Sequence, residues 1–227
     1  MADVVLILGE SGSGKSRAIK NLPPKRTFVL NVDNKNLPYT GSKSMFPPFD
    51  MNTGEGNIFA TKSTKTVAQV LKYVNANRPD IRFIVIDDNQ YLSLFTYLDR
   101  IDEKDWAKYN TIAVNMIQLV ELCKSFRDDL MIFILHHAEY SSDVNGNDKI
   151  QAKIMGKFVK EKVTFEGLFD TVLLCDKEAD PETQEVNHFF WTRNAKATVK
   201  TPEGMFADQK IPNDLLIVAK AIHAYYH

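Results

Sequence analysis

The sequence predicts an α/β fold in which helices flank a mostly parallel central sheet. Short apolar runs alternate with longer segments of helical periodicity, which is typical of strands joined by helical crossovers. The first apolar run, residues 4–8, leads directly into the phosphate-loop pattern G-x-x-x-x-G-K-S at residues 9–16. No repeat or linker interrupts the 227 residues, so we expect a single domain over residues 1–227.

The other predicted elements follow from the same two periodicities. Further strands are expected at residues 27–33, 57–61, 81–87, 130–137, 171–175 and 187–192. Helices are expected at residues 15–22, 66–77, 90–100 and 105–126, followed by a last helix that Asn213 caps. Residues 34–57 are rich in Asn, Pro, Gly and Ser, which predicts a long surface loop.

Composition and charge restrict the classes of function. The net charge is −1, which does not favour a general nucleic-acid binder because such modules are usually basic. Cys123 and Cys175 each lie in an apolar run, so we expect reduced core thiols. No apolar run reaches the roughly 20 residues that span a bilayer. The first residues also lack a basic targeting segment, and we therefore expect a soluble cytoplasmic protein.

The phosphate-loop pattern predicts a site for nucleotide phosphates. Its glycines let backbone N–H groups approach the phosphates, and the end of the following helix adds a positive partial charge. We expect Lys15 to reach the β- and γ-phosphates and the Ser16 hydroxyl to ligate Mg²⁺, so ATP and Mg²⁺ are the expected cofactors. The residues predicted to hold the nucleotide are Gly9, Glu10, Ser11, Gly12, Ser13, Gly14, Lys15 and Ser16.

A buried strand that ends in two carboxylates supplies the second part of the predicted site. Asp87 and Asp88 follow four apolar residues at positions 83–86. The carboxyl ends of parallel strands face the same crevice as the phosphate loop. We therefore expect Asp87 to hold Mg²⁺ and Asp88 to orient or deprotonate a water molecule.

A second apolar strand ends in His136 and His137. Adjacent strand residues point to opposite faces, so only one histidine, which we take to be His137, faces the γ-phosphate. A zinc site is the alternative function, but no Cys or third His stands at ligand spacing.

This order of parts resembles the RecA-like ATPase core, in which a phosphate loop is followed by an acidic residue, a carboxylate strand and a polar sensor strand. More closely, the chain resembles the small phage-type RecA-like ATPases of the Sak group, which act in single-strand annealing and recombination. The resemblance rests on residues 9–16, 31–39, 83–88, 135–138 and 198–206. It implies a RecA-like P-loop core with a C-terminal hairpin and helix and, for a phage-encoded protein, the cytoplasm of a bacterial host.

The resemblance also implies further catalytic residues. Asp33 matches the carboxylate that polarises the attacking water in that fold. RecA relatives generally carry a Glu at or about two positions further on, where this chain has Lys35, so the catalytic carboxylate is either Asp33 or Asp88. RecA-like ATPases often take a basic residue from the neighbouring subunit. The candidates, which otherwise are solvated surface charges, are Arg193, Lys196 and Lys200. Lys200 ranks first because it lies in a matching segment.

A run of lysines is the candidate DNA surface. It consists of Lys149, Lys153, Lys157, Lys160 and Lys162. Similarity to RecA-like recombinases implies that these residues contact single-stranded DNA at the axis of a ring or filament. A solvated helix face is the alternative.

We therefore expect an oligomeric, ATP-dependent single-stranded-DNA-binding protein that promotes annealing, with a single-strand-binding protein as a further partner. The alternatives are a nucleotide or small-molecule kinase that uses the same loop, and an NTPase that regulates a partner protein without binding DNA. A kinase should carry an arginine-rich lid, whereas the lid-like segments here are rich in lysine.

Overall fold

The computed structural model describes residues 1–103, 107–142, 148–155 and 164–227. Helices flank a central sheet, which confirms the predicted α/β class. The strands are β1 (Asp3–Gly9), β2 (Thr27–Asn31), β3 (Ile58–Ala60), β4 (Phe83–Asp87), β5 (Met131–Ser142), β6 (Asp148–Ala152), β7 (Thr171–Ala179), β8 (Val186–Trp191) and β9 (Lys210–Pro212). The α-helices are α1 (Ser42–Met45), α2 (Thr64–Asn77), α3 (Gln90–Asp99), α4 (Ala107–Lys124) and α5 (Leu215–Tyr226).

The strand order in the sheet is β3-β2-β4-β5-β1-β7-β8-β9. Neighbouring strands from β3 through β7 run parallel, and β8 and β9 extend that edge in antiparallel pairing. β6 folds back antiparallel along the last part of β5. Because β1, β2, β4 and β5 are parallel, the residues that follow them lie along one edge of the sheet.

The central strands are apolar on both faces because helices cover both faces. Alternate side chains of one strand enter two separate cores. The core shared with α2 and α4 contains Leu6, Leu8, Ile84, Ile86, Ile132 and Ile134. The core shared with α5 contains Val5, Ile7, Val85, Phe133 and Leu135. This packing fixes the position of the strand ends that carry the polar residues.

The helix α2 forms where the spacing of its apolar residues predicts it. Its buried stripe consists of Val67, Val70, Leu71 and Val74. The helix begins two residues earlier than predicted because Ser63 Oγ accepts a hydrogen bond from Thr66 N at 3.3 Å, an N-cap contact. For α4, residues 105 and 106 of the prediction lie outside the described residues. Among the helices that the structure describes, none is both long and apolar enough to cross a membrane.

The cap predicted for the last helix was wrong. Asp214 caps α5, since its Oδ1 accepts a hydrogen bond from Leu216 N at 2.8 Å. The amide of Asn213 instead donates to Cys175 Sγ at 3.1 Å. Both residue types cap helices well, so the tertiary partner of Asn213 decides between them.

Other segments also differ from the prediction, and β9 was not predicted. The helix after the phosphate loop is a six-residue 3-10 helix, Ser16–Asn21. The predicted surface loop at residues 34–57 contains α1 and buries Phe46 and Phe49. β5 continues past His137 to Ser142 and pairs with β6, so the first part of the lysine-rich segment is a strand and not a helix face.

Candidate nucleotide-binding site

The polar residues predicted from the sequence converge where the parallel strands end. Gly9 at the end of β1 lies beside His137 of β5, and Asn31 at the end of β2 lies beside Asp87 of β4. A cavity of about 400 Å³ opens over these ends and is lined by the phosphate loop, Asp87, Asp88 and His137. A larger cavity of about 720 Å³ lies at the opposite edge of the sheet, beside α5. It contains none of the predicted site residues.

The phosphate loop has a conformation that requires glycine. Gly12 has φ 76° and Gly14 has φ 107°, both in the left-handed region. Neither residue's backbone N–H, nor that of Lys15, has a hydrogen-bond acceptor among the residues that the structure describes. Such N–H groups bind phosphate oxygens. The six-residue 3-10 helix that follows replaces the predicted α-helix, so the loop N–H groups carry this role rather than a long helix dipole.

Lys15 crosses its own loop. Its Nζ donates hydrogen bonds to Gly9 O and Glu10 O, each at 2.9 Å. The side chain is buried, and burial lowers the pKa of Lys15 although the nearby charge of Asp88 opposes this effect. The ammonium group therefore stands at the cavity wall, next to the acidic residues.

Ser16 and the two carboxylates form an oxygen-rich group that fits Mg²⁺. Ser16 Oγ donates to Asp87 Oδ1 at 2.9 Å. Burial, followed by the charge of Asp88, raises the pKa of Asp87 to about 7. Asp88 Oδ1 is buried and has no hydrogen-bond partner in the part of the chain that the structure describes. A cation beside these groups would favour their charged forms, and hydroxyl and carboxylate oxygens are the ligands that Mg²⁺ prefers. Ser16 and Asp87 would hold the ion, which would neutralise phosphate charge.

The two histidines have separate roles, because they lie on opposite faces of β5. His137 lines the cavity, and its Nε2 is 3.3 Å from Asp88 Oδ2. Burial opposes ionisation of Asp88, but the hydrogen bond from His137 and the charge of Lys15 outweigh it, so the pKa of Asp88 is lowered. His136 is fully buried, and burial lowers its pKa to about 4. Its ring is held between Asn89 Nδ2 at 3.2 Å and Lys153 O at 2.9 Å.

Comparison with known proteins agrees with this geometry. A family model described as an AAA domain matches residues 2–202 of the chain. The chain belongs to the AAA domain family. A solved structure of a KaiC-like protein from the hyperthermophilic archaeon Pyrococcus horikoshii OT3 is similar, with a TM-score of 0.52. The match covers 92% of this chain and 83% of that chain at 13% identity, so it shows the RecA-like P-loop fold. A search of curated proteins found no match.

In this AAA domain, Asp33, the other candidate for the catalytic carboxylate, forms an ion pair. Asp33 and Lys35 both line the cavity and form an ion pair with each other. The Lys35 side chain is 68% exposed, and its Nζ lies 5.1 Å from the centre of the Tyr91 ring. The residue that stands in place of the expected acid thus neutralises Asp33. An exposed pair of this kind contributes at most about 1 kcal/mol, so it opens easily.

The predicted basic residues of the AAA domain lie away from the cavity of their own chain. Lys200 is exposed on a segment that pairs with Val172, and it does not line the cavity. Arg193 Nη2 donates to Ala207 O at 2.9 Å. Lys196 O accepts a hydrogen bond from Ile150 N at 2.7 Å, which places Lys196 beside β6. None of these contacts tests a role in a neighbouring subunit.

The candidate DNA lysines fall partly outside the described residues. Lys149 on β6 and Lys153 just after it are exposed. Ile150 and Ile154 alternate with them and are buried, which anchors the segment on the AAA domain. The remaining predicted members, which lie outside the described residues, are Lys157, Lys160 and Lys162.

Two residues that no sequence pattern indicates also contact the phosphate loop. His188 on β8 lines the cavity, and its Nδ1 lies 2.6 Å from Ser13 O. Cys175 on β7 donates to the same oxygen at 3.2 Å. These residues are separated from Ser13 by 175 and 162 positions, so no local pattern could have revealed them.

Proposed function

We propose that this AAA domain is a magnesium-dependent ATPase that binds single-stranded DNA, promotes annealing or recombination, and acts as a homo-oligomer. One observation carries the ATPase part. Lys15, the Ser16–Asp87 pair and Asp88 converge on a cavity at which the N–H groups of Gly12, Gly14 and Lys15 lack acceptors among the described residues. Phosphate oxygens satisfy these N–H groups, and a cation relieves the repulsion between the carboxylates.

The side chains divide the work of hydrolysis. The loop N–H groups and Lys15 bind the β- and γ-phosphates, while Ser16 and Asp87 hold Mg²⁺. Water attacks the γ-phosphorus, the bond to the β–γ bridging oxygen breaks, and ADP and inorganic phosphate leave. We assign the orientation of the water to Asp88, because its lowered pKa keeps it ionised and His137 hydrogen-bonds it. Asp33 is neutralised by Lys35.

Three variants test the ATPase assignment in a steady-state assay of phosphate release. Lys15→Ala should abolish nucleotide binding. Asp88→Asn should lower kcat by about 10²–10⁴-fold with little change in ATP affinity, the range expected when a general base is lost. Asp33→Asn should retain most activity and serves as the matched control. If Asp33→Asn abolishes hydrolysis and Asp88→Asn does not, the roles of the two carboxylates are reversed. Wild-type protein that neither binds nor hydrolyses ATP would refute the ATPase proposal.

The proposal that the protein binds DNA is supported by hydrogen bonds between Lys153 and the two histidines of β5. Lys153 N donates to His137 O at 2.8 Å, and Lys153 O accepts from His136 Nε2 at 2.9 Å. Any displacement of His137 by the nucleotide therefore acts on the backbone of Lys153. The exposed side chains of Lys149 and Lys153 extend from this anchored segment, and the resemblance to the Sak group favours DNA as their partner.

The matched test compares two double variants in binding to fluorescent oligo-dT. Lys149→Ala with Lys153→Ala removes candidate contacts, whereas Lys65→Ala with Lys72→Ala removes two exposed lysines from α2. If about four lysines contact phosphates, the slope of log K against log salt is about −3, and the first variant reduces it by about 1.4. The second variant should leave it unchanged. Equal effects of both variants, or no binding by wild-type protein, would contradict the DNA proposal.

The same preparations separate the competing functions. Hydrolysis stimulated by oligo-dT at low salt, and less so at high salt, is expected. Transfer of phosphate to a nucleoside monophosphate, with no response to DNA, would establish a kinase instead. A bound partner protein together with absent DNA affinity would establish a regulatory NTPase. A single-strand-binding protein added to the assay tests whether it recruits this chain.

The oligomer part rests on Lys200. Its exposure, and its absence from the cavity lining of its own chain, agree with a role in a neighbouring subunit. Lys15→Ala chains and Lys200→Ala chains should each be inactive alone and regain part of the activity when mixed, because mixed interfaces combine an intact loop with an intact Lys200. Mixing without recovery, or a fully active Lys200→Ala protein, would show that Lys200 does not act between subunits.

A further inference from the structure

The carbonyl oxygen of Ser13 accepts two hydrogen bonds, one from β7 and one from β8. His188 Nδ1 lies 2.6 Å from Ser13 O, and Cys175 Sγ lies 3.2 Å from it. A carbonyl oxygen can only accept, so Nδ1 of His188 carries a hydrogen. The two donors come from β7 and β8, which lie on the side of β1 opposite to the carboxylates.

Residues at the start of α5 make further hydrogen bonds that support this contact. Asn213 Nδ2 donates to Cys175 Sγ at 3.1 Å, which orients the thiol toward Ser13. Asp214, the cap of α5, accepts a hydrogen bond from Asn21 at the end of the 3-10 helix that follows the loop, at 2.7 Å. Residues 213 and 214 lie beyond residue 202, where the family match ends. The C-terminal part of this chain therefore contacts both the thiol that donates to Ser13 O and the 3-10 helix that follows the phosphate loop.

The fit between His188 and the loop is close. A Cβ atom at Gly14 would lie 2.7 Å from His188 Nδ1 and 3.0 Å from its Cγ. The ring thus occupies the space that a side chain at position 14 would need. A glycine at this position permits both the left-handed φ of 107° and the approach of the ring.

We propose that His188 is a positioning residue that, together with Cys175, holds the Ser13–Gly14 peptide so that the Gly14 N–H is directed at a phosphate group. The peptide unit is planar and trans, so its N–H points away from its carbonyl. With the carbonyl fixed toward β7 and β8, the Gly14 N–H points away from both donors, and it has no acceptor among the described residues. Gly14 lines the cavity, which makes phosphate the matching ligand.

The hydrogen bond from His188 should affect the affinity for nucleotide. A donor that is already oriented costs no reorganisation when the phosphate arrives. Without the His188 hydrogen bond, the Ser13–Gly14 peptide has only the weaker thiol donor and can rotate. Loss of one such hydrogen bond corresponds to roughly a three- to ten-fold rise in the Kd for nucleotide. Asp88, which orients the water, and His137, which hydrogen-bonds Asp88, lie on the other side of β1, so kcat should change little.

The test replaces His188 by Asn and by Leu. The Asn amide nitrogen can occupy the position of Nδ1 and still donate, whereas Leu cannot. His223→Leu, at an exposed histidine on α5, is the matched control. In titrations with a fluorescent ATP analogue and Mg²⁺, His188→Leu should weaken binding by roughly three- to ten-fold. His188→Asn should bind within about two-fold of wild type, with kcat preserved in both. Thermal unfolding without ligand confirms that each variant folds.

A measurement without nucleotide separates this inference from the proposed function on which it rests. The ¹⁵N chemical shifts of the His188 ring should show hydrogen on Nδ1. The Gly14 amide resonance should move further in His188→Leu than in His188→Asn, because both variants lose the ring but only Leu loses the donor. An Nδ1 that carries no hydrogen, or equal binding defects in the Asn and Leu variants, would overturn the positioning role. If the ring shifts are as expected but wild-type protein binds no nucleotide, the contact exists and the phosphate-binding function is wrong.

Discussion

Replacing Asp87 by Asn is expected to stabilise the nucleotide-free protein at neutral and alkaline pH, and to leave its stability near pH 4 unchanged. Burial and then the charge of Asp88 raise the pKa of Asp87 from 3.8 to about 7 in the folded protein. Between these two values the folded protein binds more protons than the unfolded chain, so the free energy of unfolding falls as the pH rises. Asn cannot ionise, and its Oδ1 still accepts the hydrogen bond from Ser16.

The magnitude follows from the size of the pKa change. One pKa unit corresponds to about 1.4 kcal/mol, so a change of roughly three units costs about 4 kcal/mol above pH 7 and about half of that at pH 5.5. Coupling to Asp88 spreads the titration over both groups, and we therefore expect a difference of about 2–4 kcal/mol at pH 8.5. For a chain of this size, each kcal/mol moves Tm by about 2–4 °C.

The assay is thermal or urea unfolding of both proteins at pH 5.5, 7 and 8.5, without nucleotide or metal. The stability gain of Asp87→Asn should grow from pH 5.5 to 7 and stay constant above that. Adding Mg²⁺ with ADP should then stabilise the wild-type protein more than the variant, because the cation favours the ionised carboxylate. A gain that is equal at all three pH values, or a variant less stable than wild type at pH 8.5, would refute the reasoning.

Three further predictions concern other parts of the structure. Arg127 donates to four backbone carbonyl oxygens at the ends of neighbouring elements, so Arg127→Met should lower the free energy of unfolding by about 2–4 kcal/mol in urea titrations. Gly14→Ala should weaken nucleotide binding by at least about ten-fold, because the substitution strains φ and collides with His188; near-normal affinity in a fluorescence titration would contradict this. His136→Leu should reduce stimulation by DNA without changing ATP affinity, because it releases Lys153 O; unchanged stimulation would show that this link carries no signal.

The parts of the site that could be predicted are those with a local signature. The phosphate loop, the apolar strand before Asp87 and the paired histidines are each contiguous in sequence, and parallel pairing brings their ends together without further information. The choice between the two histidines was also predictable, because alternation along β5 places His137 at the cavity and His136 in the core. The family match and the fold agree with that order of parts.

What could not be predicted depends on partners distant in sequence. Nothing near His188 or Cys175 indicates that both reach Ser13. The cap of α5 depended on whether Asn213 had another partner, and Cys175 provides one. Residues 148–152 form a strand because β5 extends past His137 and pairs with them. The polar sequence at the end of β5 does not indicate this extension. In each case a tertiary contact decides between two conformations that the local sequence permits equally.

Different residues line the two sides of the cavity, and we expect one side to determine nucleotide affinity and the other to determine turnover. On the β7–β8 side, His188 and Cys175 contact the Ser13 carbonyl and hold the loop before any ligand arrives. On the β4–β2 side, both candidate carboxylates are engaged, Asp88 by His137 and Asp33 by Lys35. The Lys35 pair is exposed and weak, so a γ-phosphate beside it competes with Asp33 for the same ammonium group. In the proposed ATPase, affinity therefore depends mainly on the donors that hold the loop, whereas the rate of hydrolysis depends on Asp88 and its hydrogen bond with His137.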